Sequence, residues 1–263
     1  MTRKAQAALS IRGVAQVIHP HTELRFISRE VGHGVVATQH IPKGTVTWIL
    51  DRLDRVFLPQ EVEDLGPDYQ DLIDTYAFRN NIGEYVLCWD NARYVNHSFR
   101  SNCLTTAYDF ELAIRDIEAG EQLTDDYGYL NVSHPFVPLD EGTRRTTVYA
   151  DDVLRYRRSW DKSLRSAFDR FPSVAQPLQS LMSDEVVKRC HRIAAGEEEM
   201  ASIAANYYRD GLSNARKKTA TLDDHDKQGH EQDHSELDES DVLAVRRTER
   251  VGLHAVNFWK GAP

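Results

Sequence analysis

The sequence predicts a mostly β domain with a helical insert, followed by a helical C-terminal region and an acidic tail without fixed structure. Three observations carry this expectation. Short runs of branched and aromatic residues, separated by glycine and proline turns, continue to about residue 132. Apolar residues then recur at helical spacing, and from Lys217 to Asp241 the chain is polar, rich in Asp, Glu and His, with no apolar face. The expected division is an N-terminal arm over 1–20, a β domain over 21–132, a helical region over 133–211, and a disordered acidic linker with a C-terminal peptide over 212–263.

The strands are read from Leu24 to Ile27, Val35 to Thr38 and Val46 to Leu50, with turns at Gly32-His33-Gly34 and Pro42-Lys43-Gly44. Further strands are expected over Tyr85 to Trp89, Thr105 to Tyr108 and Phe110 to Ile114. Between Leu58 and Arg79 the text is helical: Pro59 suits a first turn, and Tyr69, Leu72, Ile73 and Tyr76 share a face. Acidic residues such as Asp68, Asp71 and Asp74 decorate this insert, either as a solvated face or as a surface attractive to a basic partner. A longer helix is expected from Asp151 to Phe171. It is capped at Asp151 or Asp152 and stopped at Pro172, with Tyr156, Trp160, Leu164, Ala167, Phe168 and Phe171 as its core stripe. Helical text follows over Pro177 to Ala195 and Glu197 to Tyr208.

Composition narrows the function. With 41% hydrophobic and 28% charged residues in 263, the chain can bury a core, and no apolar run is long enough for a bilayer. The N-terminus lacks the apolar segment of a secretory signal, so a cytoplasmic location is expected. The net charge of -9 argues against direct nucleic-acid binding and suits a basic protein or peptide partner. Cys88, Cys103 and Cys190 form no C-x-x-C pair, so neither disulfides nor a structural zinc site is expected. His225, His230 and His234 sit among carboxylates with nothing to fix a metal geometry, and no metal is assigned. The apolar segment Val251 to Lys260 follows a basic patch and reads as a docking peptide that the acidic linker could bring to the groove, as an autoinhibitor or, through Lys260, a self-substrate.

Two motifs dominate the chemistry: Arg93-Tyr94-Val95-Asn96-His97-Ser98-Phe99-Arg100-Ser101-Asn102, and Gly120-Glu121-Gln122-Leu123-Thr124-Asp125-Asp126-Tyr127-Gly128-Tyr129. Together with Gly32-His33-Gly34-Val35-Val36-Ala37 and Ile41-Pro42-Lys43-Gly44, they resemble the SET-domain methyltransferases, over roughly Leu24 to Leu130. The resemblance implies a β-clip-like fold in which one motif segment is threaded beneath the other, and S-adenosylmethionine-dependent methylation of a protein lysine. It assigns the cofactor contacts to His33, Gly34, Asn96 and His97, catalysis to Tyr127, and the substrate channel to Asp125 and Tyr129. A Cβ at Gly32 or Gly34 is expected to obstruct the approach of backbone to ligand. The phenol at Tyr127 suits the role physically, since it donates and accepts hydrogen bonds without adding a charge.

Three departures from the family pattern stand out. Phe99 and Ser101 replace its usual Cys and Pro, read as a packing change. Asp125 stands where the family often has an aromatic or aliphatic residue, and alternation on an extended segment puts its carboxylate on the Tyr127 side. The flanking zinc cysteines are missing, so the channel lid must come from residues such as Phe136, Tyr149 and Tyr156. Two rival readings remain: a non-catalytic SET module that binds a partner peptide, and a methyltransferase for a non-lysine amine.

Overall fold

The computed structural model describes residues 17–209. Most of the expected arm, the acidic linker with His225, His230 and His234, and the peptide ending near Lys260 lie outside the described residues.

In chain order the elements begin with strands β1 (Thr22–Ser28), β2 (Gly32–Ala37), β3 (Val46–Ile49) and β4 (Arg55–Phe57), then helices α1 (Pro59–Asp64) and α2 (Pro67–Tyr76). They continue with β5 (Ala77–Arg79), β6 (Tyr85–Leu87), β7 (Asn96–His97), β8 (Cys103–Thr105), β9 (Phe110–Ala113) and β10 (Thr124–Asp125), and close with helices α3 (Asp152–Phe168) and α4 (Asp184–Ala194). The result is a set of small sheets with helices. β1 and β2 form an antiparallel hairpin, β9 pairs antiparallel with both β3 and β8, and β6 lies between β4 and β5. The remaining pair, β7 with β10, is parallel.

That parallel pair joins the two motifs. Thr124 lies opposite Asn96 and Asp125 opposite His97. Fully buried Asn102 reinforces the seam: its Nδ2 donates to Gln122 O at 2.7 Å, and its Oδ1 accepts from Thr124 N at 2.8 Å. An amide serves here because it offers donor and acceptor together to a backbone that otherwise has unpaired groups in the interior.

The helical region packs onto the strands. Trp160, Leu164 and Phe168 of α3 share a core with Val46, Phe110, Leu112 and Tyr129, and the Tyr129 and Trp160 rings meet edge to face at 5.6 Å. Of the expected stripe, Tyr156 alone stays exposed, at 38%.

Local chemistry moves several boundaries. The insert leaves helix after Tyr76, and Ala77–Arg79 become a strand against β6. The strand expected over Thr105 to Tyr108 lies instead at Cys103–Thr105, because Thr106 N and Oγ1 both bond Phe110 O and Asp109 turns with φ 59°. Ser183 caps α4 by accepting from Val186 N, which starts the helix later than Pro177. The segment Glu197 to Tyr208 is not an α-helix and holds only a short 3-10 turn, Ile203–Asn206. There the Asp161 carboxylate accepts from Ser202 Oγ and Ile203 N, and side-chain bonds of this kind compete with helical pairing.

Asn102→Ala strands the Thr124 amide and the Gln122 carbonyl inside the protein. It is expected to cost roughly 2–4 kcal/mol, read as a lower urea midpoint with an unchanged slope.

Candidate functional site

Tyr127 opens a 3-10 turn, Tyr127–Tyr129, directly after β10. Asp126 caps that turn by accepting from Gly128 N at 3.0 Å, which fixes the direction in which Tyr127 leaves the backbone. Its hydroxyl donates to Val95 O at 2.7 Å, and its backbone N–H donates to His97 Nδ1 at 3.1 Å. Burial, and then the nearby Asp125, push the phenol well above its ordinary range, so it stays neutral.

His97 is neutral as well. Burial, followed by the Arg145 charge, lowers it to about 4. Because Nδ1 accepts from Tyr127, the neutral ring carries its proton on Nε2, which is buried and has no hydrogen-bond partner among the described residues. The rings of Phe99, Tyr127 and Phe136 surround the imidazole at 4.6, 5.4 and 5.6 Å.

Asn96 Nδ2 donates to His33 O at 3.1 Å and to Gln122 Oε1 at 3.0 Å, bringing the glycine turn to the motifs. This gives the glycines a nearer reason than ligand approach. A Cβ on Gly34 would lie 2.5 Å from Gln122 Oε1 and 2.7 Å from Asn96 Nδ2. One on Gly32 would meet nothing, but φ of +79° there favours glycine. His33 itself is exposed, with its ring against Phe26 at 5.7 Å.

Asp125 and Tyr129 lie together with Glu111, a residue of β9 to which the sequence motifs assigned no functional role. All three are buried and line, with Tyr127, an open cavity of about 2310 Å³. Glu111, Asp125 and Cys103 bring one donor atom each within 4.8 Å of one another. Burial raises both carboxyls, that of Asp125 far above its usual range with Glu111 as the second cause, and burial keeps the Cys103 thiol protonated. The cavity continues along α2, where Asp68, Asp71 and Asp74 line it together with Tyr69 and Leu72. His33, Gly34, Asn96 and His97 do not line this cavity and adjoin it through the His97–Tyr127 contact.

Residues 32–128 match the family model described as the SET domain. The chain carries a SET domain. No curated protein matches the chain. Domains of this family are typically methyltransferases that take the methyl group from S-adenosylmethionine. The residues here fit that cofactor: the orphaned Nε2 donor of His97 lies beside Asn96, whose amide contacts the backbone of the Gly32–Gly34 turn.

In place of flanking cysteine clusters, which the sequence lacks, side chains C-terminal to the motifs pack against this SET domain. Glu141 Oε2 accepts from Ser98 Oγ and Phe99 N, each at 3.1 Å. Arg145 pairs with Asp126 and Asp152 and lies over the Phe99 and Tyr156 rings at 4.6 and 4.5 Å. Phe99, at the departure from the family pattern, thus packs between His97 and Arg145. For Asp126 burial outweighs the Arg145 charge, and its carboxyl is raised. Of the expected lid residues, Phe136 and Tyr149 line the cavity, whereas Tyr156 stacks on Arg145 away from it. The isolated charge in the apolar run Phe110–Ala113 was a signal for Glu111, but nothing local marked Arg145 or Glu141.

A depressed histidine stabilises the fold above its unfolded value of about 6.5 and loses that stabilisation as pH falls toward 4. Relative to His97→Gln, the natural protein is expected to lose on the order of 2–3 kcal/mol between those limits, measured by urea unfolding across pH. His19, also lowered to about 4, contributes equally to both proteins and cancels in the comparison.

Proposed function

We propose that the chain is an S-adenosylmethionine-dependent protein-lysine N-methyltransferase acting on a basic protein or peptide. The observation that carries this reading is the neutral Tyr127 hydroxyl, fixed to Val95 O at the buried end of a cavity whose outer wall is acidic. His97 and Asn96, with the His33–Gly34 backbone, would hold S-adenosylmethionine, which when bound supplies an electrophilic methyl group.

The protein's own part is orientation and exclusion of water. Tyr127 donates its hydroxyl hydrogen bond to Val95 O and keeps its oxygen lone pairs for a polarised C–H or for the incoming N–H. The neutral His97 ring and the Phe136 and Tyr127 rings form an uncharged boundary beside it. The carboxylates of Asp68, Asp71 and Asp74 attract lysine- and arginine-rich segments toward the opening. The threaded crossing of the two motif segments belongs to the same reading, and the parallel β7–β10 pair supports it. A second reading, a peptide-binding module without transfer, draws support from Asp125, a carboxyl where the family often has an apolar side chain.

With labelled S-adenosylmethionine and a mixture of basic proteins, the full chain is expected to transfer methyl groups to lysine. Tyr127→Phe should lower the rate about 100-fold with calorimetric cofactor affinity unchanged. Asn96→Ala should weaken cofactor binding about 10-fold. Cofactor binding with no transfer to any protein would favour the binding module.

A further inference from the structure

Glu111 and Asp125 come from β9 and β10, are 5% and 8% exposed, and both line the cavity that holds Tyr127. Two carboxyls this close do not both ionise readily, and a shared proton is their natural state. The pair is only partly satisfied by its own surroundings. Thr47 Oγ1 donates to Glu111 at 2.5 Å, and the Cys103 thiol is turned to Asn102 Oδ1. Asp125 Oδ1 and the Tyr129 hydroxyl, both buried, make no hydrogen bond of good geometry. Besides each other, the groups acting on the two carboxyls are Thr47 of β3, Cys103 of β8, Tyr129 of the turn and Asp126, and no lysine or arginine is among these described residues. Buried acids without a cation are costly, and an apolar pair would pack this position at lower cost. A buried acceptor without a well-formed hydrogen bond, on a residue of the cavity wall, is suited to a cationic nitrogen arriving from outside.

We propose that the Asp125–Glu111 pair receives the substrate's alkylammonium nitrogen and takes from it the proton that must leave before methyl transfer. One N–H bond of the ammonium breaks, its electron pair stays on nitrogen as the lone pair, and the proton passes to the Asp125 carboxylate. Arrival of the ammonium displaces the pair's own shared proton to solvent, so the pair goes from no proton to one when the N–H bond breaks, and nothing is oxidised or reduced. Two neighbouring carboxylates bind a single shared proton more tightly than an isolated carboxylate binds its own, so the acceptor is matched to an amine more closely than a lone aspartate is. The fate of the amine rests on the methyltransferase reading, whereas its binding to the pair does not.

The test uses the full chain, labelled with 13C at the Asp and Glu carboxyls, without any methyl donor, and n-butylamine as the probe. The expected result is one carboxyl signal titrating well above the ordinary range, absent in Asp125→Asn, and shifted downward by n-butylamine but not by n-butanol. Asp125→Asn should weaken n-butylamine binding about 10-fold. Glu111→Gln, a second route should the first variant misfold, should return Asp125 toward an ordinary titration. Equal n-butylamine binding by a folded variant would overturn the proposal, as would a pair that titrates in the usual range. So would a divalent metal that copurifies with the natural protein and is lost in Asp125→Asn. If n-butylamine engages the pair but S-adenosylmethionine does not bind the chain, the methyltransferase reading fails while the amine site stands.

Discussion

Arg145 is the constraint on which the arrangement of this SET domain rests. Its guanidinium joins Asp126, which caps the Tyr127 turn, to Asp152 in the first turn of α3, and it lies over Phe99 of the first motif. Three segments distant in sequence are therefore fixed by one planar, always-charged group, a task for which a lysine point charge lacks the fork geometry. A buried pair of this kind gives little net stability against an apolar substitute, but losing one partner leaves uncompensated charge. Its value is positional, since it sets where Tyr127 points.

Around that fixed point the protein keeps charge segregated. His97 and Tyr127 are both held neutral by burial, in opposite directions of titration, and together they make an uncharged boundary. Beyond them Asp125 and Glu111 form an acidic interior, and the Asp68, Asp71 and Asp74 side chains an acidic exterior. A cation moving inward meets negative potential at both ends of its path and an aromatic passage between. Low dielectric strengthens each of these interactions at the buried end and solvent weakens them at the mouth.

The acidic wall is built with a small core of its own. Phe57, Val62 and Ile73 anchor α1 and α2 against the β4–β6–β5 sheet, while Tyr69 and Leu72 remain exposed toward the cavity. Its local contacts separate this insert from the main core of α3 and the β3–β9–β8 sheet. Variation on the insert surface can therefore alter the acidic wall of the cavity without disturbing the seam between β7 and β10.

Contiguous patterns were legible in the sequence. The strands and the α3 stripe followed from periodicity, because side-chain spacing reports directly on which face a segment buries. The two motifs identified the SET domain, and alternation placed Asp125 on the Tyr127 side. Tertiary structure alone decided the partners: Glu111 for Asp125, Val95 O for Tyr127, and Arg145 for Asp126. It also decided that Gly34 yields its space to Asn96 and Gln122, and that Glu197 to Tyr208 forsakes helix for bonds to Asp161. Each of these depends on strand register or on packing between segments far apart in the chain. Local sequence carries the tendency of a segment to form and bury a face, whereas the identity of what meets that face is set only when the whole chain closes.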